Sequence, residues 1–271
     1  MIIDGKLLAS KKIDFLKSQF IITSKKFFAA FLIGNDKSSL SFITQKQKIA
    51  QELNIDFRIY QFDFNINQDK LRQQIEKIVY HKTCGGAIVQ LPLPNHINAQ
   101  YVLNSLPREK DIDVLSERSL GALYTNRNKI LPPAVKTVQD ILSFLKVDIQ
   151  QKKFSIVGAG NLVGKPIAVW LINQKCKLLK IFDINSQLDL SDSNVVISGV
   201  GKANLINPTL LQPNTIVIDF GYDFCNGKIC GDFNASLSSN LDIIYTPTPG
   251  GTGPLLVANV FENFLILNSN N

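Results

Sequence analysis

Metal-ligand and disulfide chemistry have little to work with in this chain. It has two histidines and four cysteines; Cys84, Cys176, Cys225 and Cys230 form no CxxC pair and have no histidine at metal spacing. Neither a zinc centre nor a disulfide framework is expected, so no metal is assigned and the thiols read as reduced and mostly buried. Apolar runs of membrane-spanning length are also missing. Asp4 and Lys6 interrupt the N-terminus before the apolar core of a signal peptide can form. The expectation is a cytoplasmic protein with no membrane association. Clustered positive charge is lacking as well, although the net charge is +7. Basic residues occur as short pairs, Lys11-Lys12, Lys25-Lys26 and Lys152-Lys153, with no regularly interleaved aromatics. This argues against nucleic acid, while a diffuse positive surface suits a small polyanionic substrate.

What the chain does have is an ordinary globular composition, 45% hydrophobic and 19% charged over 271 residues, enough for two domains with separate cores. Its most informative stretch is FSIVGAGNLVGKP, from Phe154 to Pro166. A β-type pattern runs into a turn carrying Gly158, Gly160 and Gly164, and a helical pattern follows through Ile167, Ala168 and Leu171. Strand, glycine turn and helix together present backbone N–H groups and a helix dipole to a pyrophosphate. The spacing is one residue longer than the common fingerprint, so a glycine turn that merely packs a helix on a sheet is the competing reading. The next strand, Leu178 to Phe182, ends at Asp183, about 20 residues past the last glycine, where a carboxylate reaches a ribose 2′-hydroxyl. That favours NAD. A 2′-phosphate would be repelled unless Lys180 or Lys177 compensated.

Before this motif, strand and helix patterns alternate. The first helix is expected over Leu7 to Phe20, a buried strand over Phe27 to Ile33, and a helix from Ser38 or Ser39, either of which can cap it, to about Leu53. On that helix Phe42 and Lys46 share a face and Lys48 points elsewhere. A strand over Ile55 to Tyr60, a helix over Gln68 to Tyr80 and a strand over Gly86 to Gln90 follow. Alternation of this kind indicates an α/β fold with parallel sheets, ligands sitting beyond the C-terminal ends of the strands. Gln90 stands at such an end, with Leu91-Pro92-Leu93-Pro94 fixing the exit path. The carboxylates of PREKDID, Pro107 to Asp113, read by themselves as a solvated acidic turn.

In order along the chain come QLPLP at Gln90 to Pro94, KDID at Lys110 to Asp113, GAGNLVGKP at Gly158 to Pro166, VIDFG at Val217 to Gly221, GD at Gly231-Asp232 and TPTPGGTGP at Thr246 to Pro254. Together they resemble the methylenetetrahydrofolate dehydrogenase/cyclohydrolase family over nearly the whole length. The resemblance implies an N-terminal α/β folate-binding catalytic domain (1–133 with 254–271) and a C-terminal Rossmann-type NAD(P)-binding domain (134–253), with a cleft between them. Two helices, Ala134 to Lys146 and Pro254 to Leu267, should join the domains.

The resemblance also implies the chemistry: oxidation of 5,10-methylenetetrahydrofolate with NAD(P), then hydrolysis of the methenyl product to 10-formyltetrahydrofolate. Lys46 matches the catalytic lysine, Gln90 the glutamine bonded to it, and Asp113 the aspartate that grips the pterin. Phe42, Leu91, Pro92, Pro249, Gly250 and Gly251 fall at substrate positions. Gly158, Ala159 and Gly160 match the phosphate turn, and Tyr222 a position on the adenosine side of the cofactor or its linker. A homodimer through the Rossmann-type domain is implied, by edge-strand pairing near Asn204 to Ile218.

Several positions depart from the family pattern. Phe42 replaces a tyrosine, Val114 a glycine, Pro132-Pro133-Ala134-Val135 a PCTP segment, and Leu255-Leu256 a Met-Thr pair. These losses of polar groups bear on water activation more than on hydride transfer. They motivate two alternatives, a dehydrogenase-only variant and a lapsed paralogue that binds folate or nucleotide without turnover. A shikimate-type dehydrogenase shares the two-domain plan but gives no reason for QLPLP or TPTPGGTGP. Family membership favours NADP; Asp183, with Ala159 where a cation often stands, favours NAD.

Overall fold

The computed structural model describes residues 1–19, 26–183, 185–225, 227–239 and 241–269. Contacts divide these into a first unit, Lys11–Pro133 with Val257–Asn271, and a second unit, Met1–Ser10 with Ala134–Leu256. The division expected from the resemblance placed 1–10 with 11–133 instead, and put the last boundary at 254.

The chain runs α1 (Gly5–Gln19), β1 (Phe27–Ile33), α2 (Lys37–Glu52), β2 (Phe57–Phe62), α3 (Gln68–Val79), β3 (Cys84–Val89), α4 (Ala99–Leu103) and α5 (Glu117–Tyr124). It continues as α6 (Pro133–Phe144), β4 (Lys153–Val157), α7 (Gly164–Asn173), β5 (Leu178–Phe182), β6 (Val195–Ser198), β7 (Ile216–Asp219), β8 (Asp223–Cys225), β9 (Lys228–Cys230), β10 (Ile244–Tyr245) and α8 (Thr252–Asn268). Phe20, assigned from sequence to the first helix, lies outside the described residues.

The first unit holds a parallel sheet in the order β2-β1-β3. Its central strand FFAAFLI is buried at every residue, as a strand covered on both faces must be. On one face Phe27, Ala29, Phe31 and Ile33 pack with Leu71, Ile75 and Val79, the apolar stripe of α3. On the other, Phe28 stacks on Phe264 of α8 with ring centroids 4.9 Å apart and meets Phe261 edge-on at 5.6 Å. Each buried ring of this size removes a large apolar area from water.

Helix α2 is capped by Asp36 and not by Ser38 or Ser39. The Asp36 carboxylate accepts from Ser39 N at 2.9 Å and Ser38 Oγ at 2.6 Å. An anion at a helix N-terminus also meets the dipole favourably, so it outcompetes a neutral hydroxyl. Strand β2 starts two residues later than the apolar pattern suggests, because Ile55 N is taken by Ala50 O at the end of α2.

The second unit holds a five-stranded parallel sheet in the order β10-β7-β6-β4-β5. From β4 the chain crosses outward to β5, then returns to the opposite side of β4 for β6. The switch point therefore lies beside the C-terminal end of β4, where ligands sit in such sheets. Ile3 N donates to Tyr245 O at 2.8 Å and Tyr245 N to Met1 O at 3.0 Å, so the first residues run alongside β10. The segment 204–218, expected to offer a free edge for dimer pairing, does not: its strand β7 is hydrogen-bonded to β6 on one side and β10 on the other. The outer position on the opposite side of the sheet belongs to β5.

Only Cys84 is buried; Cys176, Cys225 and Cys230 are partly exposed, contrary to the expectation of mostly buried thiols. Cys225 and Cys230 belong to the short antiparallel β8–β9 pair.

Candidate functional site

Lys46 lies in the buried stripe of α2 with Ser39, Ile43 and Ala50, at a position where the helical repeat calls for an apolar side chain. It is 7% exposed. Its Nζ donates to Gln90 Oε1 at 2.8 Å, and Gln90 Nε2 donates to Leu91 O at 2.8 Å. Gln90 N in turn donates to Phe31 O, which locks its backbone to the end of β1. Burial lowers the Lys46 pKa from that of a free ammonium, and the nearby Asp113 charge partly restores it. Phe42 stands one turn before Lys46, half-buried; Lys48 is exposed.

Asp113 is half-buried. Burial pushes its carboxyl up to about 6, Lys46 pulls the other way, and the neighbouring Asp111 adds to the rise. The KDID segment is not the solvated acidic turn that its composition suggests. Asp111 is fully buried, and its carboxylate accepts from Leu115 N at 3.0 Å and Ser116 N at 2.8 Å. Ala87 N donates to Lys110 O and Ile112 N to Ala87 O, so residues 110–112 run beside β3. Asn263 of α8 secures the same segment: its Nδ2 donates to Ile112 O at 2.9 Å and Leu131 O at 2.8 Å. Asp111 and Asn263 were missed from sequence; α8 carries Asn259, Glu262 and Asn268 besides Asn263, so no local signal singles Asn263 out. Leu91 is half-buried and Pro92 exposed.

In the second unit the glycine turn follows β4 as expected. Gly158 has φ +95°, and a Cβ on Gly164 would lie 1.9 Å from Gly158 O, so the helix starts against the turn with no room for a side chain. Gly160, by contrast, is exposed with open space around it, leaving its backbone and that of Ala159 accessible. No side chain caps α7. Asp183 follows β5 and is exposed, its N–H donating to Ser186 Oγ at 3.1 Å. Lys180, one of the two cations considered for a 2′-phosphate, is already engaged: its Nζ lies 2.6 Å from Asp192 and 3.1 Å from Asp189. Tyr222 follows β7, across β4 from β5 and Asp183, so the sheet order puts it on the side away from Asp183. Pro249, Gly250 and Gly251 follow β10, with Gly251 buried against Pro247 and Thr246.

The structure thus brings Phe42, Lys46, Gln90, Leu91, Pro92 and Asp113 into the first unit, and Gly158, Ala159, Gly160, Asp183, Tyr222, Pro249, Gly250 and Gly251 into the second. The first group can move a proton beside a planar acceptor of hydrogen bonds. The second presents the turn, helix terminus and acidic strand end that hold a dinucleotide.

Residues 3–113 match the catalytic domain of tetrahydrofolate dehydrogenase/cyclohydrolase, and residues 132–271 its NAD(P)-binding domain. The chain is 32% identical over 276 residues to the bifunctional protein FolD of Mycoplasma capricolum, covering 98% of this chain and 97% of the relative. It is 31% identical to that of Clostridium botulinum, covering 97% and 95%. The crystal structure of the Campylobacter jejuni bifunctional enzyme superposes with a TM-score of 0.92 at 29% identity, covering 98% of this chain and 97% of that one.

Proposed function

Because the chain belongs to the tetrahydrofolate dehydrogenase/cyclohydrolase family, we propose that Lys46, Gln90 and Asp113 carry its catalytic chemistry and that Asp183 selects NAD. The activity is oxidation of 5,10-methylenetetrahydrofolate to the methenyl form with NAD(P), followed by hydrolysis to 10-formyltetrahydrofolate. The dinucleotide accepts the hydride. The observation that carries the assignment is the buried Lys46–Gln90 hydrogen bond with Gln90 anchored to Leu91 O.

Hydrolysis of the methenyl bridge needs a base that is partly unprotonated near neutrality. Burial supplies this by lowering the Lys46 pKa. Gln90 presents only its oxygen to Lys46, because its NH₂ is committed to Leu91, so one Lys46 proton is fixed and the amine is turned in a defined direction. Asp113, as a carboxylate, accepts two N–H groups side by side from the amino-pyrimidine edge. Phe42 keeps an aromatic face beside the folate without a hydroxyl.

In the second unit, Gly158, Ala159 and Gly160 hold the pyrophosphate on backbone N–H groups at the start of α7, and Asp183 accepts from the ribose 2′-hydroxyl. Engagement of Lys180 by Asp189 and Asp192 removes a cation that would otherwise favour NADP. Tyr222 and the Pro249–Gly251 loop flank the cofactor. The protein works in the cytoplasm as a homodimer, and β5, with Leu178 40% and Ile181 50% exposed at a sheet edge, is the strand available for pairing.

The test is a continuous absorbance assay with methylenetetrahydrofolate, run with NAD and NADP separately, following methenyl formation and decay. Light scattering of the purified protein tests the dimer. Methenyl that forms and decays no faster than in buffer would remove Lys46 from the hydrolytic role.

A further inference from the structure

VIDFG and GD, two of the short motifs in the second unit, have a structural basis in each other. Asp219 ends β7 and Asp232 follows β9, and both are buried, at 1% and 0% exposed. A Cβ on Gly221 would lie 2.3 Å from Asp232 Oδ1, and one on Gly231 would lie 2.1 Å from Asp219 Oδ2. Each carboxylate therefore packs into the space left by the glycine beside the other.

Both carboxylates hold backbone at the C-terminal end of the sheet. Asp232 accepts from Ser198 Oγ at 2.5 Å, Val200 N at 2.8 Å and Lys202 N at 2.7 Å. Asp219 accepts from Gly221 N at 2.7 Å and Phe233 N at 2.9 Å, and its carbonyl takes the Thr252 hydroxyl at 2.8 Å. The 199–202 loop that Asp232 grips packs directly on the glycine turn. Val200 Cγ2 would be 2.9 Å from a Cβ on Gly158, and Val163 Cγ1 2.7 Å from one on Gly199.

The sheet order says which part of a dinucleotide meets this loop. With the 2′-hydroxyl at Asp183 beyond β5 and the pyrophosphate on the turn beyond β4, the second nucleotide extends over the end of β6. We propose that Asp219 and Asp232 are positioning residues for the hydride-transfer half of the reaction, with Asp232 fixing the loop that receives the nicotinamide end of the cofactor. This rests on the dinucleotide reading of the second unit. Neither carboxylate touches the reacting atoms; Asp232 acts through Val200 and Lys202.

Hydrolysis of the methenyl bridge consumes no dinucleotide, which separates this role from a merely structural one. Asp232→Asn keeps the volume and one acceptor oxygen but turns the other into a donor. Ser198→Ala removes one donor to Asp232 and is the milder change should the first variant fold poorly. Both are to be assayed for dinucleotide binding by fluorescence, for dehydrogenase kcat and KM with the dinucleotide, and for methenyl hydrolysis without dinucleotide. The expected result for Asp232→Asn is a rise in dinucleotide KM of about tenfold or more and a fall in dehydrogenase kcat, with hydrolysis within about twofold of wild type. Ser198→Ala should shift the same quantities in the same direction by less. Unchanged dinucleotide KM and kcat in both variants, or equal loss of the two activities in both, overturns the proposal. Wild-type protein that binds neither NAD nor NADP overturns the dinucleotide reading along with it, whereas wild-type binding with unaltered variants overturns the positioning role alone.

Discussion

Lys46 and Gln90 meet at 2.8 Å through a contact that has only one arrangement, because the amide nitrogen of Gln90 is tied to Leu91 O and cannot exchange places with its oxygen. The lysine always faces an acceptor. A second acceptor with charge would alter it: a carboxylate at position 90 would hold the ammonium form and could no longer donate to Leu91 O.

Lys46→Met should therefore abolish methenyl hydrolysis, a loss of about 10²-fold or more for a removed general base, while hydride transfer falls less. Gln90→Glu should retain the contact but raise the Lys46 pKa, slowing hydrolysis at neutral pH and moving its optimum to higher pH. Rates of methenyl decay across pH check both; near-normal hydrolysis in Lys46→Met would sink the assignment.

With Asp113 in its proposed substrate-binding role, folate binding has a pH dependence of definite sign. Its carboxyl titrates at about 6 in the folded protein against 3.8 when unperturbed, and only the ionised form accepts two donors. KM for methylenetetrahydrofolate should rise as pH falls below about 6, by up to tenfold per pH unit, and Asp113→Asn should flatten that slope while raising KM throughout. The same shift acts oppositely on stability. A raised carboxyl favours the folded state fully below about 3.8, and that contribution is lost as pH rises through about 6.

On the proposed reading, cofactor choice turns on the Asp183 carboxylate. Wild-type protein should show the higher kcat/KM with NAD, and Asp183→Ser should raise kcat/KM for NADP by about tenfold by removing a charge facing the 2′-phosphate. A wild-type preference for NADP would contradict this.

Asn263→Ala leaves two carbonyls without this donor, Ile112 O in a buried setting and Leu131 O in a part-buried one. A loss of about 2–4 kcal/mol of stability is expected, read as a lower midpoint in denaturant. Because Ile112 adjoins Asp113, KM for the folate should rise as well, with the dinucleotide KM unchanged.

Much of this was legible from local pattern. The unbroken apolar run at 27–33 announces a strand covered on both faces, and Asp183 at the end of an apolar segment follows from counting past the glycines. What local pattern could not show depends on residues distant in sequence. Lys180 reads as a spare cation until the fold brings Asp189 and Asp192 to it. The edge at 204–218 was an implication of the resemblance; the strand that covers it, β10, is two residues long, too short to leave a periodic signal of its own. Asp111 reads as solvated because its burial comes from backbone bonds between residues 110–112 and Ala87. The pairing of Lys46 with Gln90, 44 residues apart, came from the family resemblance and not from local pattern; the parallel crossover places the buried face of α2 beside the end of β3.

The backbone bonds that join Met1 and Ile3 to Tyr245 impose an order on assembly. During synthesis the first ten residues emerge long before β10, and the whole of 11–133 is made in between, so the second unit's sheet acquires its outermost partner only when the chain is nearly complete. Contacts of such separation form slowly, since the entropy of closing the loop is lost before they give anything back. A fragment spanning 134–256 alone would leave β10 with an unpaired edge, open to pairing with a neighbouring chain at high concentration.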